Sequence, residues 1–146
     1  MSERKAPVPP YGRLPDFLAQ ELVLLTRISD LTKEIEVQSR QREIRLEDLP
    51  ERRQVYIDRL KKCRRAAARA AEELPQEQKA RAEAILAGNF AGPPRGKEES
   101  GLVQTAEKCR AVLRAALAAD SEARKKIRAE CGRLRARIRA ARENAQ

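Results

Sequence analysis

Histidine is absent from this chain, and that absence removes the commonest general base and the commonest metal ligand. An enzyme would have to work through carboxylates, lysines or thiols alone, and no such constellation is visible. The expectation is therefore a non-enzymatic protein with no catalytic residues, no cofactor and no metal. Aromatic residues make up only 3% of the 146 residues while charged residues make up 37%, so there is little material for a broad globular core. The three cysteines, Cys63, Cys109 and Cys131, are odd in number and widely spaced, which suggests neither a disulfide framework nor a paired-cysteine zinc site. They read as small apolar residues on helix seams in a reducing compartment. Long apolar runs are missing too: no stretch approaches the roughly 18 residues that span a bilayer. Met1 to Pro15 carries charge and prolines without an apolar centre, unlike a secretory signal. A cytoplasmic protein without membrane insertion is expected.

What the chain does have is helical periodicity. From Leu102 to Ala141 no proline occurs, and small or apolar residues return alternately every four and three positions: Leu102, Ala106, Cys109, Leu113, Ala116, Ala123, Ile127, Cys131, Leu134, Ile138 and Ala141. That spacing places them along one side of a single helix. Two irregularities mark it. Asp120 stands where an apolar residue is due, and the step from Ile127 to Cys131 is four where three is expected, a slip that resembles a stutter. At 1.5 Å per residue this helix would span roughly 60 Å, too long for the rest of the chain to cover.

Upstream, Pro7, Pro9, Pro10 and Pro15 define an N-terminal tail over residues 1–15, expected to be disordered. Asp16 can cap a helix carrying Phe17, Leu18, Leu22, Leu25, Ile28, Leu31 and Ile35 and reaching about Arg42. Pro50 suits the first turn of a second helix, with Asp48 and Glu51 at its positive end. Pro75 interrupts that helix and begins a third, short one that stops at Gly88. Residues 88–101 concentrate glycine and proline and read as a linker before a C-terminal helix over 102–143. The fold class expected is all-α: an elongated antiparallel helical bundle or coiled coil of three to four helices, with the first and last longest. Residues 16–87 form a helical hairpin region with the short third helix, and 16–143 make one domain.

Arg53 occupies a seam position one turn after Leu49, and Asp120 breaks the last helix in the same way. If the two helices pack, these residues form a register-fixing ion pair. The alternatives are a local pair between Asp120 and Arg124, four residues on, and Asp120 capping a helix that restarts after a kink. The net charge is +10, and arginine outnumbers lysine 23 to 9, a bias that a GC-rich genome produces equally, so charge alone assigns no partner. A nucleic-acid surface is disfavoured because aromatics for base stacking are lacking and no recognition motif accompanies the basic runs. The seams are rich in alanine, which buries little area. A partner helix bringing four leucine-sized anchors would add about 6 to 12 kcal/mol gross, the helix-in-groove mode of binding. Self-association as a homodimer stays open.

The outline of a leucine-rich first helix, a segment with Asp48, Leu49, Arg53, Ile57 and Leu60, and a late segment with Leu117, Asp120 and Arg124 before a basic helix resembles the small flagellar export chaperones of the type III secretion pathway, the FlgN-type and FliT-type families. The likeness covers roughly Asp16 to Ile138 outside the linker. It implies a cytosolic chaperone that binds the helical C-terminal segment of a flagellar hook-filament junction or cap protein, prevents premature assembly and delivers the client to the export apparatus. The final helix would be the client surface, with Val112, Leu113, Leu117, Ile127, Leu134 and Ile138 as its anchors. The competing readings are a basic coiled-coil scaffold, such as a rod associated with the export ATPase, and a helical nucleic-acid-binding protein.

Overall fold

A computed structural model describes residues 10–145. Among them are four helices, α1 (Leu14–Ser39), α2 (Leu49–Glu72), α3 (Gln76–Ala87) and α4 (Gly96–Asn144), and an all-α bundle with long first and last helices is what they form. The local punctuation has direct causes. Pro15 and Pro50 sit in the first turns of α1 and α2, where the missing N–H has no helical partner to lose. Gly88 ends α3 in the left-handed conformation at φ 79°, which a residue without Cβ adopts freely.

Cross-helix contacts set the directions. Tyr11 meets Glu99, Cys109 meets the Leu18 carbonyl, and Lys126 meets Glu36, so positions rise together along α1 and α4 and the two helices run parallel. Arg64 reaches Glu21 and Arg53 reaches Thr32, which makes α2 antiparallel to both. The antiparallel α2 returns the chain to the end of the bundle where α1 begins, and α3 with the loop from Gly88 to Arg95 leads from there into α4. α1 is the central helix, flanked by α2 on one side and α4 on the other.

The core is thickest at that end. Leu14, Leu18, Ala67, Ala71, Ala82, Ile85, Leu102 and Ala106 form one buried cluster with Tyr11. Further along, Leu24, Leu25, Ile28, Leu60, Cys63 and Cys109 form a second. Beyond it the buried apolar residues thin to Leu31, Ile35, Ala116 and Ala123.

Three expected boundaries change. Of the expected tail, residues 1–9 lie outside the described residues, but Tyr11 is 5% exposed and Leu14 fully buried, so residues 10–15 belong to the fold. Tyr11 and Gly12 both have positive φ, 66° and 53°, an unfavourable backbone for tyrosine that is held by burial of its ring and by the bond from its N–H to Gln78. The expected linker over 88–101 is a loop only to Arg95. Helix α4 begins at Gly96, not at Leu102, because Glu98 and Glu99 favour the positive end of a helix and Glu99 is fixed by three neighbours. α1 also stops at Ser39, three residues short of its expected end.

Candidate functional site

α4 has 49 residues against 26 in α1, about 73 Å against about 39 Å at 1.5 Å per residue. The two run in the same direction, with residues in and just before α1 level with α4 residues 88 to 91 positions later, so α4 begins before α1 and also outlasts it. Among the described residues, the last ion pair between them is Lys126 with Glu36, at 2.8 Å. From Cys131 to Ala145 every residue is exposed. This overhang, about 20 Å long by the same rise, carries the second half of the seam read from the sequence.

The seam stays on one side through the slip. At 100° per residue, Cys131, Leu134, Ile138 and Ala141 lie within about 40° of the direction of Ile127, and Ile127 is half-buried on the bundle. A four-residue step thus keeps the stripe in line on a straight helix, where a strict heptad would drift from it. Leu134 and Ile138, one turn apart, are 47% and 52% exposed. They form the open end of a stripe whose other end is covered by the chain itself.

The six expected anchors therefore separate. Leu134 and Ile138 stand together on the overhang. Ile127 lies at the edge of the covered region. Val112 and Leu113 are half-buried and packed against the second core cluster, so they serve the chain's own fold. Leu117 is 59% exposed but points away from the stripe, about 25 Å before Leu134 along the helix axis at 1.5 Å per residue.

Asp120 takes both of its expected partners. One carboxylate oxygen accepts from Arg53 Nη1 at 3.0 Å, and the other accepts from Arg124 Nε at 2.7 Å. Arg53 also donates to Thr32 Oγ1 on α1 at 3.4 Å. The polar break in the seam thus ties α1, α2 and α4 at one level, and a shift of α4 by one turn would leave Arg53 without its acid.

Sequence reasoning missed the most buried ionic group. Glu99 is 2% exposed. It accepts from Tyr11 Oη, from Arg81 through Nε at 2.7 Å and again through Nη2, and from the Arg95 backbone N–H at 2.8 Å. The Arg81 hydrogen bonds, foremost, hold the Glu99 carboxyl down to about 2 against the opposing effect of burial. Burial, then the hydrogen bond to Glu99, pushes the Tyr11 phenol up to about 12. Arg81 lies over the Phe90 ring, 5.0 Å from its centre. The acidic first turn of α4 was the available signal, and it was lost among the glycines around it. This group joins the N-terminal turn, α3 and α4, and its chemistry is structural.

The thiols divide in the same way as the seam. Cys63 and Cys109 are buried and Cys131 is exposed. Cys63 donates to the Phe17 carbonyl at 3.3 Å. Burial, with Glu21 adding to it, pushes Cys109 up to about 11, so its thiol stays protonated at neutral pH. Among the described residues no three His, Cys, Asp or Glu side chains gather in a metal-binding group, and no helix is long and apolar enough to cross a membrane.

Beside the overhang, a cleft of about 820 Å³ opens between the segment Ser39–Ile44 and α4. Arg40, Arg42, Lys125, Lys126, Arg133 and Arg137 line it, with Glu130 as its acid. The uncovered stripe is thus bordered by positive charge. Comparison with protein-family models, curated proteins and solved structures returns no match for this chain.

Proposed function

We propose that this chain is a cytoplasmic export chaperone that takes a helical client segment onto the free end of α4. The resemblance to FlgN-type and FliT-type chaperones supplies the client class: the C-terminal helical segment of a flagellar hook-filament junction or cap protein. Covering that segment prevents premature assembly until the client reaches the export apparatus. The observation that carries the binding role is the overhang, where Leu134 and Ile138 continue a seam that α1 covers up to Ile127 and then leaves bare.

The energetics suit reversible capture. Burying two leucine-sized residues together with matching partner side chains yields about 6 to 12 kcal/mol gross, and ordering the client segment takes back some 2 to 5. The loss of translational freedom takes about 4 kcal/mol or more, which leaves at most about 6 kcal/mol, a Kd of tens of micromolar or weaker, so a client held on this stripe is readily released.

The test is co-expression with a hook-filament junction or cap protein. The wild-type chain should co-purify with it, and Leu134→Asp with Ile138→Asp should lose it while circular dichroism shows unchanged helix content. Capture that persists in the double variant places the client elsewhere. A stable rod of several copies with no client would favour the scaffold reading.

A further inference from the structure

Resting on the helix-binding role above, we propose that the segment seated on the overhang is an acidic amphipathic helix that continues the line of α1. Cys131, Leu134, Ile138 and Ala141 recur at steps of three and four, a narrow seam of two residues in seven that fits one partner helix. Its flanking positions are Arg135 and Arg142 on one side and Glu130, Arg137 and Asn144 on the other. Glu130 already has a partner in Arg133, at 3.5 Å. What remains beside the seam is positive, and the basic cleft between Ser39–Ile44 and α4 lies where a helix extending α1 would begin.

Charge gives the simplest occupant, a second copy, no net attraction. An antiparallel pair of overhangs sets Arg135 against Arg142 and Arg137 against its own copy, all repulsive. A parallel pair offsets one attraction, Glu130 with Arg135, by one repulsion, Arg137 with Arg142. A lipid surface takes a wide apolar face edged with large aromatics, and residues 131–145 contain no aromatic. Unpaired nucleic acid needs rings to stack its bases on. A helix with aliphatic residues on one face and Glu or Asp on both edges answers both the stripe and the arginines.

The probes are two labelled peptides of three heptads each, with leucine at the seam positions and either glutamate or lysine at every flanking position. Like charge on both flanks keeps each peptide from pairing with itself. Fluorescence anisotropy against the full chain should show the glutamate peptide binding at least about tenfold more tightly than the lysine peptide, with the gap narrowing as salt rises. Arg135→Glu, Arg137→Glu and Arg142→Glu together should invert that order. Leu134→Asp with Ile138→Asp should abolish binding of both peptides. These positions are exposed, so each variant should keep its helix content.

Equal affinity for the two peptides, or no inversion in the triple variant, overturns the acidic assignment. So does tighter binding of phosphatidylserine vesicles or polyuridylate than of the glutamate peptide. If a flagellar client needs Leu134 and Ile138 but is indifferent to the three arginines, the acidic assignment falls and the helix-binding role stands. If neither the peptides nor the client uses the seam, both fall.

Discussion

Replacing Glu99 with glutamine should destabilise the bundle more than any other single charge change, and the size follows from its environment. The carboxyl falls from an ordinary 4.5 to about 2, so the native state favours the ionised form. With a discount for the solvent that reaches Arg81, this corresponds to about 2 to 3 kcal/mol at neutral pH. The sign is that of a lowered carboxylate. Its stabilisation is complete above about pH 5, where the unfolded chain is also ionised, and drains away as pH falls toward 2. For a chain of this size that is a fall of roughly 5 to 12 °C in Tm at pH 7.

The assay is thermal unfolding followed by circular dichroism at 222 nm from pH 2 to 8, on the wild type and Glu99→Gln. The wild type should lose stability steeply below about pH 5, and the variant should start lower and show a shallower acid slope. The two curves should converge near pH 2. A variant within about 1 °C of the wild type at pH 7, or an equally steep acid slope in both, would refute this account of Glu99.

Tyr11→Phe removes the hydroxyl that Glu99 accepts from and should lower stability by about 1.5 to 3 kcal/mol at neutral pH, read by urea unfolding. The raised Tyr11 value, about 12, adds an alkaline limit: stability from the neutral phenol is complete below pH 10 and should fall between about 10 and 12, an effect absent from the phenylalanine variant. At Asp120 the two arginines should differ. Arg53→Ala should cost about 1 to 2 kcal/mol because its side chain is only 21% exposed and also holds Thr32, whereas Arg124→Ala should cost about 0.5 or less. A double-mutant cycle with Asp120→Asn separates them. Amide hydrogen exchange should be fast from Cys131 to Asn144, since an unsupported helix of that length is marginal in water, and slow around Leu25 and Cys109. Uniform protection along α4 would contradict it.

The four-and-three spacing from Leu102 to Ala141 was enough to read α4 as one long helix, and Pro50, Pro75 and Gly88 marked three boundaries because each acts through its own backbone. The two ion pairs expected of Asp120 proved compatible, because a carboxylate has two oxygens and the structure gives one to each arginine, while α4 runs unbroken through Asp120 and leaves no restarted helix for it to cap. Periodicity carries no direction, however. It could not tell that α1 and α4 run parallel, and that arrangement is what leaves the end of α4 bare. Nor could it separate Val112 and Leu113, which pack against the second core cluster, from Leu134 and Ile138, which stand exposed on the overhang. Glu99 and Tyr11 were invisible for a related reason. A buried polar group is defined by partners brought from elsewhere in the chain, here 88 residues away, and no local pattern announces them.

The seam beyond Ile127 lies bare in the free chain, and Cys131 reports on it directly. Reaction of the native protein with Ellman's reagent should show one thiol modified at once, at a rate independent of protein concentration. Cys63 and Cys109 should react only on unfolding, and the glutamate-flanked peptide should slow the fast thiol. If no thiol reacts quickly in the native chain, or if Cys131 becomes protected as the protein is concentrated, the seam is already covered and the account is contradicted.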